Sequence, residues 1–441
     1  MRRAFALLGA TALITTPALS QQLVRDASAL PAQTLWTDGV ELVDVDADGD
    51  IDILFANGSA YGGSAGQGAQ DQHLFLNDGT GSFTAAHGQL DHGANLNAKQ
   101  VISGDFDNDG DPDLFYCAGS NNHNARLLLN DGAGNFTNTP ANVPVAALRS
   151  FGCAAGDIDD DGDLDITISD GGTFFGQQAQ IRLYLNDGNA VFTDVTSTQM
   201  ATDLYNCQDI TMFDFDGDFD IDIAASGKGA NGKRARLYLN DGNGNFTIDN
   251  AMNGVGSSST YEIDWGDIDG DGDFDGCVQS IAGQSEGLAG NSGPGVAMPE
   301  VTFPAPNGQD DNELAYLDID NDGDLDCMVA SLGSSGEKVY INGGTGANSF
   351  AAQNSLIQTI TDSTLDFGFA DLDGNGTYDM VTGQGESGNF TNKVYFNNGP
   401  ADTQPPTILA EEAVGALGAS TTILHMQAQD SVSDDGDIYA T

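Results

Sequence analysis

The chain is 441 residues long, with 66 acidic against 13 basic side chains and a formal net charge of −53. That balance excludes nucleic acid and anionic lipid as partners, because both are gripped by clustered Lys and Arg, and it makes cations the natural ligands. The 39% of hydrophobic residues can support a core, and the acids recur at fixed spacing among β-formers, which is not the pattern of a disordered acidic tail.

The first residues, 1–20, read as a secretory signal. Met1, Arg2 and Arg3 give a positive start, residues 4–19 are mostly apolar, and Ala18 and Ser20 frame a small-x-small cleavage site before Gln21. The protein is therefore expected to be secreted, extracellular or at the cell surface, with the periplasm also open. No later stretch approaches the roughly 20 apolar residues of a membrane span, so no membrane insertion is expected. Cys117, Cys153, Cys207, Cys277 and Cys327 permit at most two intramolecular disulfides, of unreadable pairing. Scattered singly, with no C-x-x-C, they do not form a zinc site.

An acidic nonapeptide then recurs along the chain, Asp-x-Asp-x-Asp-Gly-Asp-x-Asp, followed by an apolar residue. Its first copy places Asp44, Asp46, Asp48, Asp50 and Asp52 at positions 1, 3, 5, 7 and 9. The next two supply Asp105, Asp107, Asp109, Asp111 and Asp113, then Asp157, Asp159, Asp161, Asp163 and Asp165. The fourth and fifth hold Asp214, Asp216, Asp218, Asp220 and Asp222, then Asp267, Asp269, Asp271, Asp273 and Asp275. The sixth has Asp318, Asp320, Asp322, Asp324 and Asp326, and the last has Asp371, Asp373, Asn375, Thr377 and Asp379. The starts are 61, 52, 57, 53, 51 and 53 residues apart, the length of one propeller blade. Strands are expected at 40–43, 99–103 and 151–155 before the first three loops and at 51–56, 114–118 and 166–169 after them.

A second element follows most of the loops, at 73–79, 126–132, 182–188, 236–242, 338–343 and 393–399. Apolar alternation broken by Asn-Asp-Gly predicts a β-hairpin, because Asn and Gly tolerate the positive φ of a tight turn. Four copies continue into a Phe-Thr pair at Phe83, Phe136, Phe192 and Phe246. Each unit thus has four short strands and no helical periodicity. Repeated in series, such units predict an all-β, seven-bladed β-propeller over residues 21–399.

The fifth unit departs from the pattern: residues 282–296 are Gly-rich and no Asn-Asp-Gly follows, so its outer half is expected to be irregular. The seventh runs into Pro400 with no Phe-Thr strand. Residues 23–28 resemble 192–197 in type and position, so the N-terminal strand is expected to complete that blade and latch the ring. Residues 400–441 read as a linker and the start of a truncated immunoglobulin-like module or a flexible tail.

The loops have the chemistry of calcium sites, up to seven in all. Calcium takes six to eight oxygens at roughly 2.3–2.6 Å in flexible geometry. Positions 1, 3, 5 and 9 would supply side-chain oxygens, Gly at position 6 the sharp bend, and position 7 its carbonyl, which accommodates Thr377. Without a cation, four carboxylates packed this closely repel one another. An EF-hand differs, needing a Glu at position 12 and flanking helices. The fourth loop, with Phe219 at position 6 in the register that starts at Asp214, is the weakest candidate.

The repeated acidic loop and the Leu-Tyr-Leu-Asn-Asp-Gly hairpin resemble the FG-GAP, or VCBS, repeat family, the propeller repeat also found in the integrin α-subunit head. The resemblance spans residues 23–399. It implies a seven-bladed propeller with calcium between the first two strands of each blade, and adhesion or ligand binding outside the cell.

Two Gly-x-Ser-x-Gly stretches, around Ser64 and Ser285, lie in Gly-rich loops without the following helix that a nucleophile elbow requires. The five histidines form no ligand motif. The expected function is a non-catalytic extracellular binding or adhesion module for a protein or glycan ligand. Its alternatives are a calcium-dependent carbohydrate-active enzyme resembling a polysaccharide lyase, or a passive structural segment of a longer surface protein. Residues 57–71 and 282–296 are the first candidates for ligand contact.

Overall fold

The computed structural model describes residues 22–401 apart from 60–67, 120–123, 147, 171–177, 205, 228–234, 254, 256–259, 281–286, 305–310, 333–335, 345–348 and 387, together with the backbone of 407–414, 423–429 and 432–433. The proposed signal segment, Ser64, Ser285 and parts of both candidate contact loops lie outside the described residues.

Seven antiparallel sheets stand in a ring, each with its first strand innermost. The inner strands are Thr37–Val43, Ala98–Gly104, Cys153–Gly156, Cys207–Phe213, Thr260–Gly266, Asp311–Leu317 and Thr364–Ala370, for blades 1 to 7. Among the described residues helix is confined to single turns such as Thr196–Gln199. Blade 2 has a fifth strand, Leu90–Asp91, parallel to Phe136–Asn138.

The third strand of each blade shows why the sequence folds this way. Successive strand residues point to opposite faces, so two adjacent apolar residues serve two different interfaces. In Arg182–Leu185, Leu183 packs into the cluster between blades 3 and 4, while Tyr184 packs into the cluster between blades 2 and 3. Leu74 and Phe75, Leu237 and Tyr238, and Val339 and Tyr340 divide in the same manner. There is accordingly one hydrophobic cluster at each of the seven blade junctions, and the core is a ring.

Blade 5 is more regular than its sequence predicts. Gly287–Ala289 and Glu300–Thr302 form its third and fourth strands, with Leu288 and Ala289 dividing between the two junctions as elsewhere. The turn beyond them is Gly290-Asn-Ser-Gly293, which keeps the Asn but lacks the Asp that follows it in the hairpins of blades 1 to 4.

The ring closes as expected. Leu23–Asp26 pairs antiparallel with Lys393–Asn397, Leu23 opposite Asn397 and Asp26 opposite Val394, so the outermost strand of blade 7 comes from the other end of the chain. Beyond residue 401, Thr407–Val414 and Ile423–Gln429 form a two-stranded hairpin, and Val432–Ser433 pairs with Tyr316 and Leu317 on the inner strand of blade 6. All five cysteines are buried thiols; Cys277 and Cys327 lie with their Sγ atoms 2.8 Å apart across blades 5 and 6.

Leu23 is fully buried in the cluster between blades 6 and 7. Leu23→Ala is expected to destabilise the chain by about 3 kcal/mol through loss of apolar contact and the cavity left behind. Denaturant unfolding checks this, and the matched exposed substitution Val24→Ala is expected to leave the midpoint nearly unchanged.

Candidate metal centres in the blade loops

In each loop the carboxylate at position 1 closes the turn. Asp44 accepts from the main-chain N–H of Asp48 at 3.2 Å and of Gly49 at 2.9 Å. Asp105, Asp157, Asp214, Asp267, Asp318 and Asp371 make the same two contacts. The turn needs left-handed backbone at positions 4 and 6, as at Ala47 (φ 59) and Gly49 (φ 94).

Phe219 stands at position 6 of the fourth loop with φ 68, and its N–H still donates to Asp214 at 2.9 Å. The loop therefore adopts the common turn, in the register that starts at Asp214, and holds a bulky residue in a conformation that costs on the order of 1–2 kcal/mol.

The carboxylate at position 9 is buried and held on both sides. Asp52 accepts from the N–H of Val45 at 3.0 Å with one oxygen and from that of Asn77 at 2.8 Å with the other. The second contact recurs in every blade, Asp113 with Asn130, Asp165 with Asn186, Asp222 with Asn240, Asp275 with Asn291, Asp326 with Asn342 and Asp379 with Asn397. The hairpin asparagine in turn reaches the preceding blade. Asn77 donates its side-chain amide to the Leu372 carbonyl at 2.9 Å, and Asn130, Asn186, Asn240 and Asn342 do likewise to Val45, Phe106, Ile158 and Ile268.

Position 7 packs against the hairpin. A Cβ on Gly79 would lie 2.6 Å from both carboxylate oxygens of Asp50, and Asp163 sits over Gly188 and Asp220 over Gly242 in the same way. The hairpin glycine is thus required by crowding as well as by its positive φ.

What remains is a set of oxygens facing one another. Single oxygens of Asp44, Asp46 and Asp48 lie within 4.8 Å of one another, as do those of Asp105, Asp107 and Asp113, of Asp157, Asp159 and Asp165, of Asp214, Asp216 and Asp218, and of Asp267, Asp269 and Asp271. Position 3 is the telling member: Asp46, Asp107, Asp159, Asp216 and Asp320 each have a buried Oδ1 with no hydrogen-bond donor. Burial, then the charges at positions 5 and 1, push Asp216 and Asp320 up to about 6. A buried acceptor without a donor is costly, and an oxygen-coordinated cation satisfies all three carboxylates at once. The donor set fits such an ion, which would supply the positive charge the loop lacks. In the seventh loop Asn375 Oδ1 accepts from Thr377 N–H and Oγ–H, so this loop is knitted internally and carries the fewest carboxylates.

None of these five triads includes a histidine. His73 and His87 stack at 3.8 Å, and His92 contacts Asp71 at 2.8 Å.

The FG-GAP-like repeat matches residues 44–116, 105–168, 173–225, 214–278 and 318–382, and the chain belongs to that family. No curated protein matches it in sequence. Among solved structures it is similar to BBS1N in its complex with ARL6DN, soaked with lead, at 12% identity over 88% of this chain and 100% of that one, with a TM-score of 0.53. It also matches the Bacillus licheniformis rhamnogalacturonan lyase PL11, at 12% identity over 87% of this chain and 75% of that one, with a TM-score of 0.47. At these identities the first likeness shows the propeller fold alone.

Two outcomes are expected. Phe219→Gly relieves the left-handed strain and raises the thermal midpoint, whereas Gly162→Phe at the same position of the third loop lowers it; paired melting curves check both. The second concerns pH. Burial raises Asp52, Asp113, Asp275 and Asp379 from near 3.8 to about 7, and Asp165 and Asp222 to about 8. The folded metal-free chain then holds protons that the unfolded chain has lost, so its stability falls as pH rises from about 4 to about 8. An ion that keeps the loops ionised removes this slope. Melting temperatures across that range, in chelator and in excess calcium, are expected to fall only in chelator.

Proposed function

We propose that the protein is an exported, calcium-stabilised propeller that acts as a non-catalytic binding or adhesion module, presenting a ligand surface on the face opposite its acidic loops. The carrying observation is the buried, donorless position-3 oxygen within the acidic triads, which a cation would satisfy together with the two neighbouring carboxylates. Calcium suits a site of side-chain oxygens at irregular spacing better than magnesium, which demands near-octahedral geometry and keeps its waters.

The division of the two faces supports the binding role. The acidic loops join first to second strands and the Asn hairpins join third to fourth, so both lie on one face and brace it. The second strands end, and the third strands begin, at the other face. Loops on a rigid scaffold are the usual carriers of recognition. In BBS1N a propeller of this fold is found in complex with another protein, and a protein or glycan ligand is the corresponding expectation here. The binding reading is favoured over a lyase by Lys99: it lines the axial cavity on this face, but its ammonium is tied to Asp38 at 2.7 Å and to the Gly58 carbonyl at 3.0 Å.

The test is thermal unfolding with a count of bound calcium, followed by glycan-array and cell-surface binding with and without chelator. Several ions per chain, a large calcium-dependent stabilisation and calcium-dependent binding are expected. A chain that neither binds calcium nor changes its melting would overturn the reading, and release of unsaturated sugar from acidic polysaccharide would move it to the enzymatic alternative.

A further inference from the structure

The second strand of each blade offers one position to each neighbour. The residue after the last loop aspartate faces the preceding blade and the next residue faces the following blade, because successive strand residues point to opposite sides. Leu54 and Leu114 accordingly share the cluster between blades 1 and 2, and Met328 and Met380 the cluster between blades 6 and 7. Between blades 5 and 6 the two residues placed in this way are Cys277 and Cys327.

Both cysteines are fully buried, and their Sγ atoms lie 2.8 Å apart. Unbonded heavy atoms rest at roughly 3.5–4.0 Å, whereas a disulfide holds its sulfurs about 2.05 Å apart. The pair is therefore closer than packing alone requires. No loop has to move to join it, since each cysteine stands in a paired ladder, Cys277 opposite Asp264 and Leu288, and Cys327 opposite Tyr316 and Tyr340. Cys117 and Cys207 are placed differently: each Sγ–H donates to a main-chain carbonyl, that of Phe151 at 3.2 Å and that of Asp209 at 3.5 Å.

We propose that Cys277 and Cys327 form a disulfide that staples blade 5 to blade 6. The thiolate of one cysteine attacks a small-molecule or protein disulfide, which leaves a mixed disulfide and releases one thiolate. The second cysteine's thiolate then displaces the other half, so that two protein thiols give up two electrons and two protons and the oxidant is reduced to two thiols. Because both sulfurs are buried in the closed ring, exchange takes place before the junction closes, and the finished bond is shielded from reductant. Export, as proposed above, delivers the chain to an oxidising compartment; the bond itself depends on neither calcium nor ligand. Blade 5 lacks a tie that most blades have. Asn291 Nδ2 has no hydrogen-bond partner, so the contact that Asn77 or Asn130 makes with the preceding blade is missing there. The staple secures this blade to the following one instead, and by joining positions 50 residues apart it restricts the unfolded chain.

The test unfolds and reduces the full chain, refolds it in a mixture of reduced and oxidised glutathione, and maps its cysteines by proteolysis and mass spectrometry without reductant. The segments holding Cys277 and Cys327 are expected as one cross-linked peptide, two hydrogens lighter than their sum, that separates on reduction. In the folded protein the bond is expected to survive dithiothreitol until denaturant is added. The oxidised chain is expected to melt at a higher temperature than the reduced one, while Cys277→Ala with Cys327→Ala melts alike in both buffers. Separate peptides that each carry a free thiol, or a cross-link from either cysteine to another of the five, would overturn the proposal. The mapping uses the unaltered chain, so it decides the matter even where the double variant does not fold. The glutathione supplies the oxidant, so failure of the bond is read apart from any failure of export.

Discussion

The aspartate at position 9 of each loop is the constraint on which the structure turns. Its side chain is buried, as in Asp52, Asp165 and Asp379 at 0–1% exposure, yet it is charged chemistry placed between strands. Such a group is tolerated only when its oxygens are satisfied. Six of the seven receive a main-chain N–H from position 2 of their own loop, and all seven receive one from the hairpin asparagine. Because that asparagine also donates to the preceding blade at most junctions, one residue ties loop, hairpin and neighbour together. Removing it would leave a buried carboxylate and a buried carbonyl unmatched at once.

This network leaves the position-3 carboxylates in conflict. The turn that delivers main-chain donors to positions 1 and 9 supplies none to the position-3 Oδ1, which points into the loop between like charges. Protonation or a cation can resolve it. Near neutral pH the two are in competition, so metal binding and folding are linked through the same oxygens. Blade loops and ring closure then act in concert: hydrophobic junctions hold neighbours side by side, while the loops fix the angle at which each inner strand enters the axis.

The two ends of the axis follow from this arrangement. One is braced by loops whose chemistry is repeated seven times, and repetition leaves little room for a specific surface. The other is free to vary: inner-strand residues there run from glycine to glutamate, and the connecting loops differ in length from blade to blade. Specificity has its natural home at that end, and the acidic half of the axial wall gives it an asymmetry that the sevenfold scaffold does not impose.

The sequence by itself determined the repeat, the blade count, the strand flanking each loop, the latch by residues 23–28 and the acidic clusters, because these rest on local periodicity and turn chemistry. It misjudged blade 5, where Asn291 serves as the hairpin asparagine without the Asp that follows it in blades 1 to 4; an Asn-x-Gly search would have found it. Phe219 was legible only as an anomaly, since its positive φ is imposed by the closed turn around Asp214. The triads that combine positions 1, 3 and 9, the reach of most hairpin asparagines into the preceding blade and the gathering of Asp209, Glu262, Glu313 and Asp366 around the axial cavity required the tertiary structure. Those residues lie about fifty positions apart in pairs, and only closure of the ring brings their carboxylates to a common axis.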